Sequence, residues 1–218
     1  MARLDRLGPA REVAQLGAVL GRQFPYALLR AVFPLGDDAL RDALAALVEA
    51  EVLFVHGHDG DSGYLFKHAL LRDAAYELLL KAKRQQLHGQ IADTLRERFV
   101  EAAEAQPEIL AHHYTEAGRH AEAIAFWRRA GARAMQRFAN AEAIRHLCKA
   151  LELLAATPDT PERSREEIDL QILLASPIIA SRGYGAPEVA TAYERARALS
   201  TALGDTRHEF TVLRGLER

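Results

Sequence analysis

Apolar residues in this chain recur at helical spacing almost everywhere, and the pattern breaks in only one place. Between residues 52 and 66, Val52-Leu53-Phe54-Val55 and Tyr64-Leu65-Phe66 are short β-prone runs. They flank the turn-rich His56-Gly57-His58-Asp59-Gly60-Asp61-Ser62-Gly63, which predicts a hairpin. Before it, Pro9 opens a helix carrying Val13, Leu16, Val19 and Leu20. Pro25 opens a second through Leu28, Leu29 and Val32, ended by Pro34. Asp37 and Asp38 are placed to cap a third, with Leu40, Leu44, Leu47 and Val48 on one face. Three helices followed by a two-stranded hairpin is the order of a winged helix.

After the hairpin the pattern is helical to the end. His68 to Leu80 carries Leu70, Leu71, Ala74, Ala75, Leu78 and Leu79, and Leu87, Ile91, Leu95 and Phe99 follow at every fourth position. Pro107 starts a helix with Leu110, His113, Tyr114 and Ala117, and Gly118 ends it. An internal repeat comes next, because Ala121-Glu122-Ala123-Ile124 returns as Ala141-Glu142-Ala143-Ile144. The first copy continues through Trp127, Gly131, Ala134 and Phe138, the second through Leu147, Cys148, Leu151 and Leu154. Each copy presents a stripe that needs a neighbouring helix. Thr157-Pro158-Asp159-Thr160-Pro161 breaks the chain, and Ile168 to Ile178 forms a further helix that Pro177 is expected to kink or to end near Ser176. Gly183-Tyr184-Gly185-Ala186-Pro187 is the last clear loop before a helix with Val189, Tyr193, Ala196, Leu199 and Leu203.

The fold class expected is therefore mostly α. A winged-helix-like module over residues 1–82 is followed by helical repeats over 83–156 and a further helical hairpin over 157–218, truncated at its C-terminus. Neither end carries a settled cap, so the chain reads as a segment of a longer protein.

Motifs for chemistry are absent from the sequence. The four lysines, Lys67, Lys81, Lys83 and Lys149, never follow a glycine, so no P-loop can form. No Gly-x-Ser-x-Gly elbow, His-Glu-x-x-His pair or Cys-x-x-Cys pair occurs. These absences predict a non-enzyme with no cofactor of its own. The single cysteine, Cys148, lies on an apolar stripe, excludes an internal disulfide and suits the cytoplasm. His56, His58 and Asp59 could ligate a metal but lie in one flexible turn with no further ligand at fixed spacing, and His112 and His113 point about 100° apart on a helix. No apolar run approaches the ~20 residues of a membrane span, and residues 1–11 lack a signal-peptide core.

The winged-helix order invites a DNA-binding reading, against which the charges argue. Overall the formal net charge is −2, and the third helix carries Asp37, Asp38, Asp42 and Glu49, with Glu51 just after, against Arg41 alone. Asp59 and Asp61 stand where a DNA-binding wing carries Lys or Arg. Lys81, Lys83 and Arg84 lie on a later helix and read as a solvated face. A transcriptional regulator and a stand-alone helical-repeat adaptor remain the alternatives.

Phe66-Lys67-His68-Ala69-Leu70-Leu71-Arg72-Asp73-Ala74-Ala75-Tyr76 resembles the winged-helix signature of the signal-transduction ATPases with numerous domains (STAND ATPases). There a Met-His-Asp motif precedes a Leu-x-x-Asp-x-Ala pattern, and its histidine reaches the nucleotide's phosphates on the ATPase domain. The resemblance sets His68 at that histidine and Lys67 at the methionine, both acting in trans to the nucleotide of a domain outside this chain. Ala69 replaces the aspartate. The other reading of His68 is a helix N-terminal residue with a structural hydrogen bond.

The run from Gly8 to Phe24, Leu110-Ala111-His112-His113-Tyr114-Thr115-Glu116-Ala117-Gly118, and Gly183 to Val189 are similar to the post-ATPase region of large bacterial predicted ATPases, a kind often fused to an adenylate/guanylate cyclase domain. Glu116 to Ile124 resembles a tetratricopeptide turn. What the resemblance implies is a regulatory segment with a right-handed, tetratricopeptide-like superhelix. Its partners would be an upstream or separate nucleotide-binding domain holding ATP or ADP, and a protein bound by the repeats.

Overall fold

Strand β3 (Gly63–Phe66) is the centre of a small antiparallel sheet, between β1 (Gln23–Pro25) and β2 (Leu53–His56). The computed structural model describes residues 8–34, 36–57, 62–206 and 212. Along them the chain runs α1 (Pro9–Leu20), β1 (Gln23–Pro25), α2 (Tyr26–Val32), α3 (Asp37–Glu49), β2 (Leu53–His56), β3, α4 (Ala69–Glu77) and α5 (Lys81–Arg98). Then come α6 (Val100–Ala105), α7 (Pro107–Glu116), α8 (His120–Gln136), α9 (Asn140–Ala155), α10 (Pro161–Arg182) and α11 (Pro187–Leu203). The fold is mostly helical with the expected hairpin.

In the hairpin Leu53 faces Phe66 and Val55 faces Tyr64. Strand β1 was not legible in the sequence, being three residues long and ending in proline. It exists because Phe24 is drawn into the core, 1% exposed, between the rings of Tyr64 and Phe66 at 6.2 and 6.0 Å. Proline is tolerated there because β1 is an edge strand. Gly17 makes the room: a Cβ at that position would stand 2.7 Å from the end of the Phe24 ring.

The cap of α3 differs from expectation. Gly36 occupies the N-cap position without a side-chain bond, and Asp37 is the first helical residue. Its carboxylate turns instead to the Tyr26 hydroxyl, to Arg30 Nε at 3.0 Å and to Arg41 Nε at 2.8 Å. In α4, Leu70 is 81% exposed although its spacing suggested a buried face; within this helix Ala75 is the buried residue.

The chain divides into two compact units, residues 1–103 with 116–118, and 104–115 with 119–218. Helix α5 thus lies with the first unit and not with the repeats. Leu87, Ile91, Ala92 and Leu95 form its buried side, and it packs on α1 and α2.

In the second unit each helix from α8 to α11 packs on the next, so the Thr157–Pro161 break falls inside one unit. Ile124, Leu147, Leu154, Leu170, Leu174, Ile178 and Val189 make its main core. Helices α8 and α9 approach closely at Gly131, where a Cβ would lie 2.7 Å from Leu147 Cγ. Buried Glu167 on α10 takes Arg195 of α11 through two bonds of 2.6 and 3.1 Å.

Of the two outcomes expected at Pro177 the ending fails, and so does the placing of Phe138. Helix α10 runs through Pro177 to Arg182 and does not end at Ser176. Burial of Leu174, Pro177 and Ile178 outweighs the missing backbone bond of the proline. Phe138 is not on the stripe of α8. That helix stops at Gln136, and Phe138 is 88% exposed with φ +58°. The Ala139 amide donates back to the Ala134 carbonyl, which reverses the chain in a left-handed turn.

Candidate functional site

Lys67 and His68 leave the sheet together and meet different fates. The Lys67 amide donates to the Val52 carbonyl at 3.0 Å, continuing the ladder by one bond. Its ammonium sits 3.0 Å from Glu51 Oε1 and 5.3 Å from the centre of the Phe54 ring. Lys67 is thereby committed to the end of α3 and to the hairpin. Glu51 adopts φ +55° at that end, and the Val52 amide donates to the Leu47 carbonyl.

His68 is the N-cap residue of α4 in extended conformation, φ −133° and ψ 138°. Its carbonyl accepts the amides of Leu71 and Arg72 at 3.0 and 3.4 Å. The imidazole is exposed and makes no capping bond, so the structural role at this position falls to the backbone. A side chain at this point can reach outward. Exposed apolar groups lie on the elements beside them: Leu70 in the first turn of α4, and Phe54 and Val55 on β2, an edge strand, at 46% and 58% exposure.

On α3 the outward residues Asp38, Asp42 and Glu49 carry negative charge. Arg41, the one cation there, is held by Asp37. Hydrogen bonding from Tyr26, then the nearby Arg41 and Arg30 guanidinium groups, lower the Asp37 carboxyl below its ordinary value. Burial and the Asp37 contact raise the Tyr26 phenol. This face repels phosphate.

Among the described residues three histidines are buried: His88 at 1%, His113 at 2% and His146 at 6% exposure. His88 Nε2 meets the Tyr76 hydroxyl at 3.0 Å, tying α4 to α5, with Arg84 over the Tyr76 ring. His146 stacks on Trp127 at 5.2 Å, and the Trp127 indole N–H donates to Thr115 Oγ1 at 3.0 Å. Of these only His113 is recognised from the sequence as a packing residue. The signal for the others was present, since His88 precedes Ile91, Ala92 and Leu95, and His146 precedes Leu147 and Ala150, at core spacing.

Among the described residues no cluster of three His, Cys, Asp or Glu side chains could hold a metal. His56 ends β2, whereas His58 and Asp59 lie outside the described residues. Burial, with Glu152 beside it, pushes the Cys148 thiol up, which leaves little thiolate at neutral pH.

No family model matches this chain, and no solved structure does. It is similar to an uncharacterized protein of Rhizobium meliloti (strain 1021), 36% identical over 153 residues. The match takes in 70% of this chain but only 15% of the relative, which is therefore about a thousand residues long. No helix among the described residues is long and apolar enough to cross a membrane.

Proposed function

We propose that this chain is a non-catalytic regulatory segment of a bacterial STAND-type signalling ATPase. A winged helix reads the nucleotide state of an adjoining domain, and a tetratricopeptide-like superhelix holds a protein partner. ATP and ADP are ligands of the parent, in the cytoplasm, and no cofactor belongs to this chain. The observation that carries the reading is His68: exposed, at a helix start, its imidazole uncommitted while its neighbour Lys67 is clasped by Glu51. Support comes from the element order α1-β1-α2-α3-β2-β3 with sheet order β1-β3-β2, which is that of a winged helix. It comes also from the length of the Rhizobium relative, within which a segment like this one is a small part.

In this reading His68 reaches the phosphates of bound ADP and favours the resting state, whereas Lys67 fixes the hairpin from which His68 projects. The test is ADP retention in the parent protein that carries the ATPase domain. His68→Ala is expected to release ADP several-fold faster, and Lys67→Ala to change release less. Unchanged ADP retention in His68→Ala removes the switch. Salt-dependent binding of this chain to duplex DNA would instead favour a transcriptional regulator, an outcome the acidic face of α3 opposes.

A further inference from the structure

Away from His68, a concavity of about 480 Å³ lies where α2 meets the end of α5, lined by Ala27, Arg30, Ala31, Arg98 and Phe99. Arg98 and Phe99 also border a second depression of about 390 Å³ with Val100, Glu101 and Ala102. Arg98 is exposed and has no ion-pair or hydrogen-bond partner among the described residues. Arg30 is held differently: its Nε donates to Asp37 Oδ1 at 3.0 Å, which orients the fork and leaves the terminal nitrogens available. Asp37 divides its single charge between Arg30 and Arg41. Those three groups with Arg98 carry two net positive charges.

We propose that this concavity binds a small organic anion, its carboxylate or phosphate on Arg30 and Arg98 and its apolar part against Phe99. Two arginines line this one concavity, and a guanidinium is suited to a planar carboxylate or phosphate. Ala27 and Ala31, one turn apart on α2, add little bulk beside Phe99, an aromatic side chain suited to an apolar ligand. The volume lies within the ~300–1,000 Å³ usual for small-molecule sites. Glu101 stands in the neighbouring depression and is expected to exclude a second anion there.

None of these residues belongs to the His68 entry, so the two readings stand or fall separately. The experiment is calorimetric titration of the whole chain with phenyl phosphate, benzoate, inorganic phosphate and benzylamine at low and high salt. Phenyl phosphate or benzoate is expected to bind at least tenfold more tightly than inorganic phosphate, and more weakly as salt rises. Whichever binds more tightly names the head group. Arg98→Ala should lose at least tenfold in affinity with an unchanged melting temperature, since the side chain is exposed. Phe99→Ala should remove the advantage of the aromatic probes over inorganic phosphate. Equal binding by wild type and Arg98→Ala, or binding of benzylamine as tight as that of the anions, overturns the proposal.

Discussion

Phe138 and Gly118 stand twenty residues apart at the same place in the internal repeat, and both hold positive φ, +58° and +73°. Glycine adopts that conformation freely, whereas a phenylalanine there is strained by about 1 kcal/mol. Phe138 is 88% exposed, so no packing offsets the strain. Phe138→Gly should therefore raise the melting temperature, by an amount equal to about 1 kcal/mol of stability, in a thermal unfolding scan. A fall would show that the ring packs in solution. Glu51, at φ +55°, differs because its carboxylate holds Lys67. Asp37 predicts a pH effect. The Tyr26 hydrogen bond, followed by Arg41 and Arg30, holds its folded pKa below the unfolded value. Its contribution is then complete above the unfolded pKa, about 4, and is lost as pH falls through the folded one. Denaturation midpoints of wild type and Asp37→Asn should differ at pH 7, and the difference should shrink as pH falls below about 4. A gap of equal size above and below that pH would exclude a charge effect.

At the scale of elements, the helices were legible because the apolar spacing names a buried face before any partner is known. The same spacing also marked the sites of His88 and His146, which sequence reading passed over because a polar residue on a stripe looks like an interruption. Strand β1 and the passage through Pro177 were not legible, since each exists only through what packs on it. Gly131 belongs to this class: nothing in a single helix requires glycine there, but Leu147 on the facing helix does. Gly131→Ala is expected to cost about 1–3 kcal/mol, the usual penalty for overpacking. Gly185→Ala, where nothing lies within 4 Å, is the control and should be near neutral. Equal midpoints for the two variants, read from chemical denaturation, would mean that α8 and α9 have slack at their crossing.

For the whole molecule, α5 falls in the first unit, where its buried side packs on α1 and α2. A chain ending at Ala82 lacks α5, whose Ile91 and Ala92 are fully buried. It should show no cooperative melt by circular dichroism, whereas a chain ending at Ala103 should. Cooperative unfolding of both would separate α5 from the first core. The sequence alone determined helix content, the hairpin, the repeat and the acidic face of α3, because each follows from local spacing and charge. It also pointed to the Lys67-His68 entry. Only the tertiary structure decided that Lys67 is clasped while His68 is exposed, that Arg30 and Arg98 line one hollow, and that α5 belongs with the first unit. Those depend on which residues, distant in sequence, meet across packed faces, and periodicity along one chain carries no record of its neighbours.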